Sequence, residues 1–246
     1  VTTDATDFAA PDFSALAASR RSIRAYTDQQ IPQDILDALL KDATTAPSWS
    51  NTRAFRVALA TGERADRLRK EYVRRFNQTL DIQHHKRFAT IKTALKRELP
   101  DGDFPVWKPY PKELRAPQVE VAKLVYGAYG VERRDYEGRD NANRRNVSAF
   151  NAPVMGFVFV HEDMLPWSAM DAGLMLQTLF LSAKAHGVDS CAIGVLSAWR
   201  GPVEQEFEIP QHYKLITGFC LGYADSEAPI NHVNAPRPPI QLLEGK

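Results

Sequence analysis

Cysteine is scarce. Only Cys191 and Cys220 occur in 246 residues, and they do not form a C-x-x-C pair; two small buried thiols in a reducing cytosol are the expectation. An excess of either charge is missing too. The 31 Lys and Arg against 30 Asp and Glu leave a formal net charge of +1, so no overall attraction to nucleic acid or to a membrane is expected, and any electrostatic function has to be local. Long apolar runs are absent. The longest strongly apolar segment, AGLMLQTLFLSAKA from Ala172 to Ala185, contains Gln177 and Lys184 and is too short to cross a bilayer. No basic segment followed by an apolar stretch opens the chain, so no secretory signal is expected and a cytoplasmic location is. Metal signatures are lacking as well. The six histidines are scattered, the adjacent pair His84–His85 would point to different faces of a helix, and neither H-E-x-x-H nor a clustered Cys/His spacing occurs, which argues against zinc. G-x-S-x-G, P-loop and G-x-G-x-x-G patterns are also absent, removing support for those routes to nucleophilic catalysis or nucleotide binding.

What is present reads as an ordinary globular chain, 44% hydrophobic and 25% charged, long enough to bury a substantial core. Helices are predicted over Phe13–Arg20 and over Pro32–Ala43, where Ile35, Leu36, Leu39, Leu40 and Ala43 keep helical spacing behind a first-turn proline. FRVALAT (Phe55–Thr61) predicts a strand, followed by a helix with Leu68, Tyr72 and Phe76 on one face. Residues 77–150 are charged and contain several prolines, predicting one or two helices with connecting loops. APVMGFVFVH (Ala152–His161) is a nearly continuous apolar run of the kind that forms a buried strand. Ser168 and Asp171 are spaced as a capping box, Gly187 marks a stop, and the helix between them is apolar almost all round, so several elements or a partner subunit must cover it. Ser190–Val195 and Lys214–Tyr223 predict further strands, and the proline-rich APINHVNAPRPPIQ an extended tail. With no internal repeat and no clean linker, the expectation is one α+β domain over residues 1–246, a mixed sheet packed against helices.

Two basic segments stand out. Arg64–Arg97 holds eleven Lys and Arg against three Asp and Glu; without a nucleic-acid module it reads as a solvated face or a rim attracting anionic substrates. SRRSIRAY (Ser19–Tyr26) crowds Arg20, Arg21 and Arg24 around Ser22 with no acid beside them. Guanidinium forks match phosphate oxygens, and a dianion offsets their mutual repulsion. The alternative is a plain exposed basic turn.

Taken in order, RRSIRAY, APSWSN, the APV strand, the apolar helix, CAIG and INHVNAPR ending at Arg237 resemble the flavin-dependent nitroreductase family over roughly residues 14–240, apart from the middle region. The resemblance implies a homodimeric α+β sandwich with FMN at the subunit interface, and an inserted helical lid over residues 77–150. Carried over by position, it implies that Arg20, Arg21 and Ser22 contact the phosphate and ribityl chain and that Arg237 is a second phosphate ligand. Arg24 would lie near the flavin ring. Pro47, Ser48, Trp49 and Asn51 would reach the FMN of the other subunit, and the backbone of Ala192, Ile193 and Gly194 would lie against the ring. Arg144 aligns with a residue at the flavin pyrimidine edge, or is a surface arginine. Arg53 stands where many relatives have an amide. The implied activity is ping-pong hydride transfer, from NADH or NADPH to FMN and then to a nitroaromatic, quinone or similar flat acceptor, with no side-chain acid or base. Trp49, Phe55, Trp107, Tyr110 and Tyr126 are candidate stacking walls. Reductive dehalogenation, flavin breakdown and non-catalytic flavin storage are the alternatives.

Overall fold

The computed structural model describes residues 10–83 and 99–245. Four strands, β1 (Phe55–Thr61), β2 (Val154–His161), β3 (Asp189–Ile193) and β4 (Tyr213–Gly222), form one sheet in the order β1-β2-β4-β3. Every ladder is antiparallel, with Phe55 opposite Val160, Val154 opposite Leu221 and Cys191 opposite Cys220. The parallel component of the expected mixed sheet is a single bridge from Ser22 to Ser190 on the outer edge of β3.

The apolar run of β2 is explained by its place. With β1 and β4 on either side and helices over both faces, Val154–Val160 has no side that meets water. Met155, Phe157 and Phe159 join one core with Leu68, Tyr72 and Phe76 of α3 (Gly62–Gln83). Val154, Val158 and Val160 join the other, with Leu36 and Leu39 of α2 (Gln33–Ala43) and Leu179 and Phe180 of the long helix Trp167–Ala185. Between them Gly156 must lack a side chain, because a Cβ there would lie 2.1 Å from the ring of Phe219. Tyr72 is fully buried, and its hydroxyl reaches the carbonyls of Leu196 (2.7 Å) and Trp199 (2.8 Å), so the polar end of the largest α3 side chain is satisfied.

The first helix, α1 (Ala10–Ser19), delivers the arginine segment. The expected middle region resolves into the end of α3, then α4 (Arg115–Ala128) and α5 (Tyr136–Val147); His84–His85 and the basic residues up to Arg97 lie outside the described residues. Helix α6 (Trp167–Ala185) and the single turn α7 (Gly201–Glu204) complete the set among the described residues. The capping box expected at Ser168 and Asp171 does not form. Pro166 precedes the first turn, the Ser168 hydroxyl donates to the carbonyl of His161 (3.0 Å), and the Asp171 carboxylate accepts from a distant loop. Beyond the last short turn, residues 233–245 run without regular structure. Both thiols are free and buried.

Candidate functional site

Helix α1 ends at Ser19, and the chain then runs along the edge of β3. Ser22 bridges Ser190, the Ile23 N–H donates to the Ser190 carbonyl (3.1 Å), and the Ile23 side chain is buried. The next two residues are held by Asn231 from the far end of the chain. Its side-chain oxygen accepts from the N–H groups of Arg24 (2.8 Å) and Ala25 (3.1 Å), and its NH2 donates to the carbonyls of Ala25 (2.7 Å) and Asp225 (2.9 Å). All four hydrogen-bonding positions of this buried amide are used. Sequence reasoning quoted the segment INHVNAPR without giving Asn231 a role; its partners 206 and 207 residues away left no local signal.

The same tail brings Arg237 back to the end of α1. Its guanidinium donates to the carbonyls of Arg20 (2.5 Å) and Ala17 (3.3 Å), a favourable place for a cation at a helix C-terminus. Arg20, Arg21, Ser22, Arg24 and Arg237 then line one small cleft of about 90 Å³. None of these four arginines has an ion-pair partner among the described residues. Partial burial, and then the neighbouring Arg237, push the Arg20 guanidinium below its ordinary value. Arginine remains charged under such a shift, so the cleft stores repulsion that an anion relieves. The donor set, four guanidinium groups and a hydroxyl with no competing carboxylate, fits a phosphate.

Along β3, away from this cleft, Cys191 and Ile193 are buried whereas Ala192 and Gly194 are exposed. A Cβ at Gly194 would meet nothing within 4 Å. The exposed positions therefore carry almost no side chain, and the strand offers a flat surface on which a planar ring can lie. From Ser190 to Gly194 the strand covers about 13 Å at ~3.3 Å per residue.

A second cleft, of about 240 Å³, shares Arg24, Val121 and Val125 with the first and is walled by Tyr126, Tyr129, Asn143 and Asn146. The Tyr129 hydroxyl is buried there without a hydrogen-bond partner among the described residues. Burial raises its pKa, opposed by Arg145 and Arg24, and the Arg145 guanidinium lies 5.0 Å from the ring centre. A buried unpaired donor beside Arg24 costs free energy until a ligand supplies an acceptor.

The other predicted residues lie elsewhere. The Trp49 N–H donates to both oxygens of the buried Asp171 (3.0 and 3.1 Å), and the Trp49 ring stacks on Trp167 with centres 4.6 Å apart. This fixes Pro47, Ser48, Trp49 and Asn51 on α6 rather than in the arginine cleft. Ser50, Asn51 and Arg53 all have positive φ, near 50°, and the Ser48 hydroxyl accepts from the Arg53 N–H (3.2 Å). The Arg144 guanidinium is taken by Asn77 of α3 (2.7 Å) and Asn141 (2.6 Å); its helix neighbours Asn143 and Asn146 are the ones that share a cleft with Arg24. Of the five aromatic wall candidates, Tyr126 lines that cleft. Trp107 packs edge-on to Trp199, Phe55 is partly buried against the core, and Tyr110 is exposed. Among the described residues no group of three His, Cys, Asp or Glu is placed to hold a metal ion, and no helix is long and apolar enough to cross a membrane.

Comparison with known proteins places these features in context. The model of the nitroreductase family matches residues 17–223. A 4-nitrobenzoate reductase of Nocardioides sp. (strain LMS-CY) is 31% identical over 229 residues, covering 93% of this chain and 87% of that one. A chloronitrobenzene nitroreductase of Comamonas testosteroni is 28% identical over 239 residues, 95% of each chain. Among solved structures, the FMN-dependent nitroreductase NfnB from Mycobacterium smegmatis, in complex with NADPH, superposes with a TM-score of 0.79 at 26% identity, over 94% of this chain and 95% of that one.

Proposed function

The chain belongs to the nitroreductase family, and from that premise we propose that it is an FMN-dependent oxidoreductase. NADH or NADPH is the electron donor, a flat nitroaromatic or quinone the acceptor, and the working unit is a homodimer. The observation that carries this reading is the cleft of Arg20, Arg21, Arg24 and Arg237, four cations with no carboxylate among the described residues to neutralise them, opening beside a flat strand end. Bound FMN supplies the two-electron carrier that receives hydride from the nicotinamide and yields it to the acceptor.

The residues supply position and field. Arg20, Arg21, Ser22 and Arg237 hold the phosphate. Arg24, fixed by Asn231 through its backbone, would hold a positive charge near the flavin and so favour its electron-rich, two-electron-reduced state. Ala192, Ile193 and Gly194 would offer backbone to the flavin. The unpaired Tyr129 hydroxyl and the amides of Asn143 and Asn146 offer hydrogen bonds to polar ring atoms or to the acceptor. No side-chain acid or base is needed for hydride transfer.

A second copy of the chain completes the site in this reading. Trp167, Met170 and Leu174 leave an exposed apolar stripe on α6, next to the Pro47–Asn51 loop. A partner packed on that stripe would place the loop beside its own arginine cleft. Cytoplasmic location belongs to the same proposal, supported by two buried free thiols paired across β3 and β4.

The decisive experiment is the visible absorption spectrum of the purified protein, before and after NAD(P)H is added under nitrogen. A flavin spectrum that bleaches, and returns on addition of a nitroaromatic, is the expected result. A colourless protein that takes up no added FMN would overturn the reading, whereas slow or absent bleaching of bound flavin would make the chain a flavin carrier.

A further inference from the structure

Helix α4 contains Val119, Val121, Ala122, Leu124, Val125 and Tyr126, yet not one of its residues is buried. An apolar helix that buries nothing is an anomaly in a folded chain. The clefts account for it. Val121 and Val125 wall both the arginine cleft and the middle cleft, and Ala122 and Tyr126 wall both the middle cleft and a third, larger cavity. The three follow one another around α4, with the arginine cleft and the larger cavity on opposite faces of the helix and the middle cleft between them.

The larger cavity is about 510 Å³ in volume, roomy enough for a substituted aromatic ring. Its floor is apolar, from Val119, Ala122 and Tyr126, and its rim carries Lys123, Arg133 and Arg139. Glu132 also lines it, leaving two cations in excess. None of the three cations has an ion-pair partner among the described residues. Arg139 donates to the main-chain carbonyl of Arg133 and lies over the ring of Tyr136, and neither contact neutralises its charge.

We propose that this cavity, which adjoins the middle cleft where the functional reading above offers hydrogen bonds to the acceptor, binds an aromatic ring bearing an anionic group, and that Arg133, Arg139 and Lys123 select an aryl carboxylate acceptor over a neutral one. The relatives do not decide the matter, since one is named for a nitrobenzoate and another for a chloronitrobenzene. An apolar wall, adequate volume and unpaired cations among the lining residues match a ring with a charged substituent. The 2′-phosphorylated adenosine end of NADPH has the same chemistry, and the test separates the two.

Benzoate, which cannot be reduced, and methyl benzoate are titrated into the FMN-loaded protein by calorimetry, so that binding is read without turnover. Wild type is expected to bind benzoate more tightly than the ester. Arg133→Gln with Arg139→Gln should weaken benzoate by about 10- to 100-fold relative to the ester, the scale of losing charge-assisted hydrogen bonds. Lys123→Gln has no structural bond to lose and should shift the ratio in the same direction by several-fold, which keeps the test valid if removing Arg139 loosens the segment. Arg133→Lys should restore part of the preference. The kcat/KM ratio of 4-nitrobenzoate to its methyl ester should fall in parallel, through KM. An unchanged benzoate-to-ester ratio in all variants overturns the proposal. So does an unchanged ratio accompanied by a loss of flavin bleaching by NADPH relative to NADH, which would assign the cavity to the donor phosphate. Arginine-dependent benzoate binding in a protein that reduces neither nitro compound would uphold the cavity and sink the functional reading alone.

Discussion

The guanidinium of Arg237 donates to the main-chain carbonyl of Arg20 at 2.5 Å, across 217 residues of sequence. The contact both closes the end of α1 and sets a fourth cation into a cleft that already holds three. Arg20→Ala with Arg237→Ala is predicted to abolish FMN retention on desalting, with an affinity loss of at least about 100-fold from two charge-assisted phosphate contacts. The far-ultraviolet circular dichroism should stay near wild type. Full flavin occupancy in the double variant would remove these residues from the phosphate site.

Asn231 makes the complementary prediction. Its amide ties Arg24 and Ala25 to Asp225 through four hydrogen bonds in a buried position. Asn231→Ala leaves two partly buried N–H groups without their acceptor and should cost about 1–3 kcal/mol in urea denaturation. Asn231→Asp keeps the acceptor but loses both donors, and should fall between alanine and wild type. Because Arg24 moves with its backbone, both variants should also weaken FMN. Unaltered stability in the alanine variant would show that the segment is held by other means.

These two residues mark how far the sequence could be read. The crowding of Arg20, Arg21 and Arg24 is a local signal, and so was legible. The run of β2 was legible because a central strand between two helical layers has no polar face. Asn231 was not, because an asparagine in a proline-rich tail looks like a turn residue until its partners 206 residues away are in place. Ser168 and Asp171 misled for a related reason. Their spacing suits a cap, but the helix already starts at Trp167, and a buried carboxylate is worth more to the Trp49 loop than to its own first turn. Position left Arg144 open between a flavin contact and a surface arginine; the helix turns it toward Asn77 and sets Asn143 and Asn146 beside Arg24.

Acid stability should depend on Glu71. Hydrogen bonds from Arg74, and then Arg75, hold its carboxyl near about 2 against an ordinary 4.5, despite the opposing effect of partial burial. A depressed folded-state value means that the stabilisation is fully present above about 4.5 and is lost as pH falls from there toward about 2. Glu71 is partly open to solvent, so the contribution is screened and is on the order of 1 kcal/mol. Glu71→Gln should be less stable than wild type by that amount at pH 6. The gap should narrow at pH 3 and vanish near pH 2 in matched urea titrations. A gap independent of pH would mean that the arginines are held by Asp101 and the backbone instead.

Helix α6 carries the last prediction. Its inner face packs Ala172, Met175, Leu179, Phe180 and Ala183 into the core, while Met170 and Leu174 on the outer face are 49% and 40% exposed. Trp167 continues that stripe one turn earlier and stacks on Trp49. Three large apolar side chains at helical spacing in water are a cost with no return inside one chain. Met170→Glu with Leu174→Glu would leave the monomer core untouched but bury two charges if the stripe is the subunit interface. Sedimentation velocity should then shift from dimer to monomer at micromolar protein. FMN should be lost with it, because the Trp49 loop of each copy would no longer reach the arginine cleft of the other. A variant that stays dimeric moves the interface elsewhere. A monomer that keeps its flavin would place the whole cofactor site within one chain and leave the loop as a support for α6.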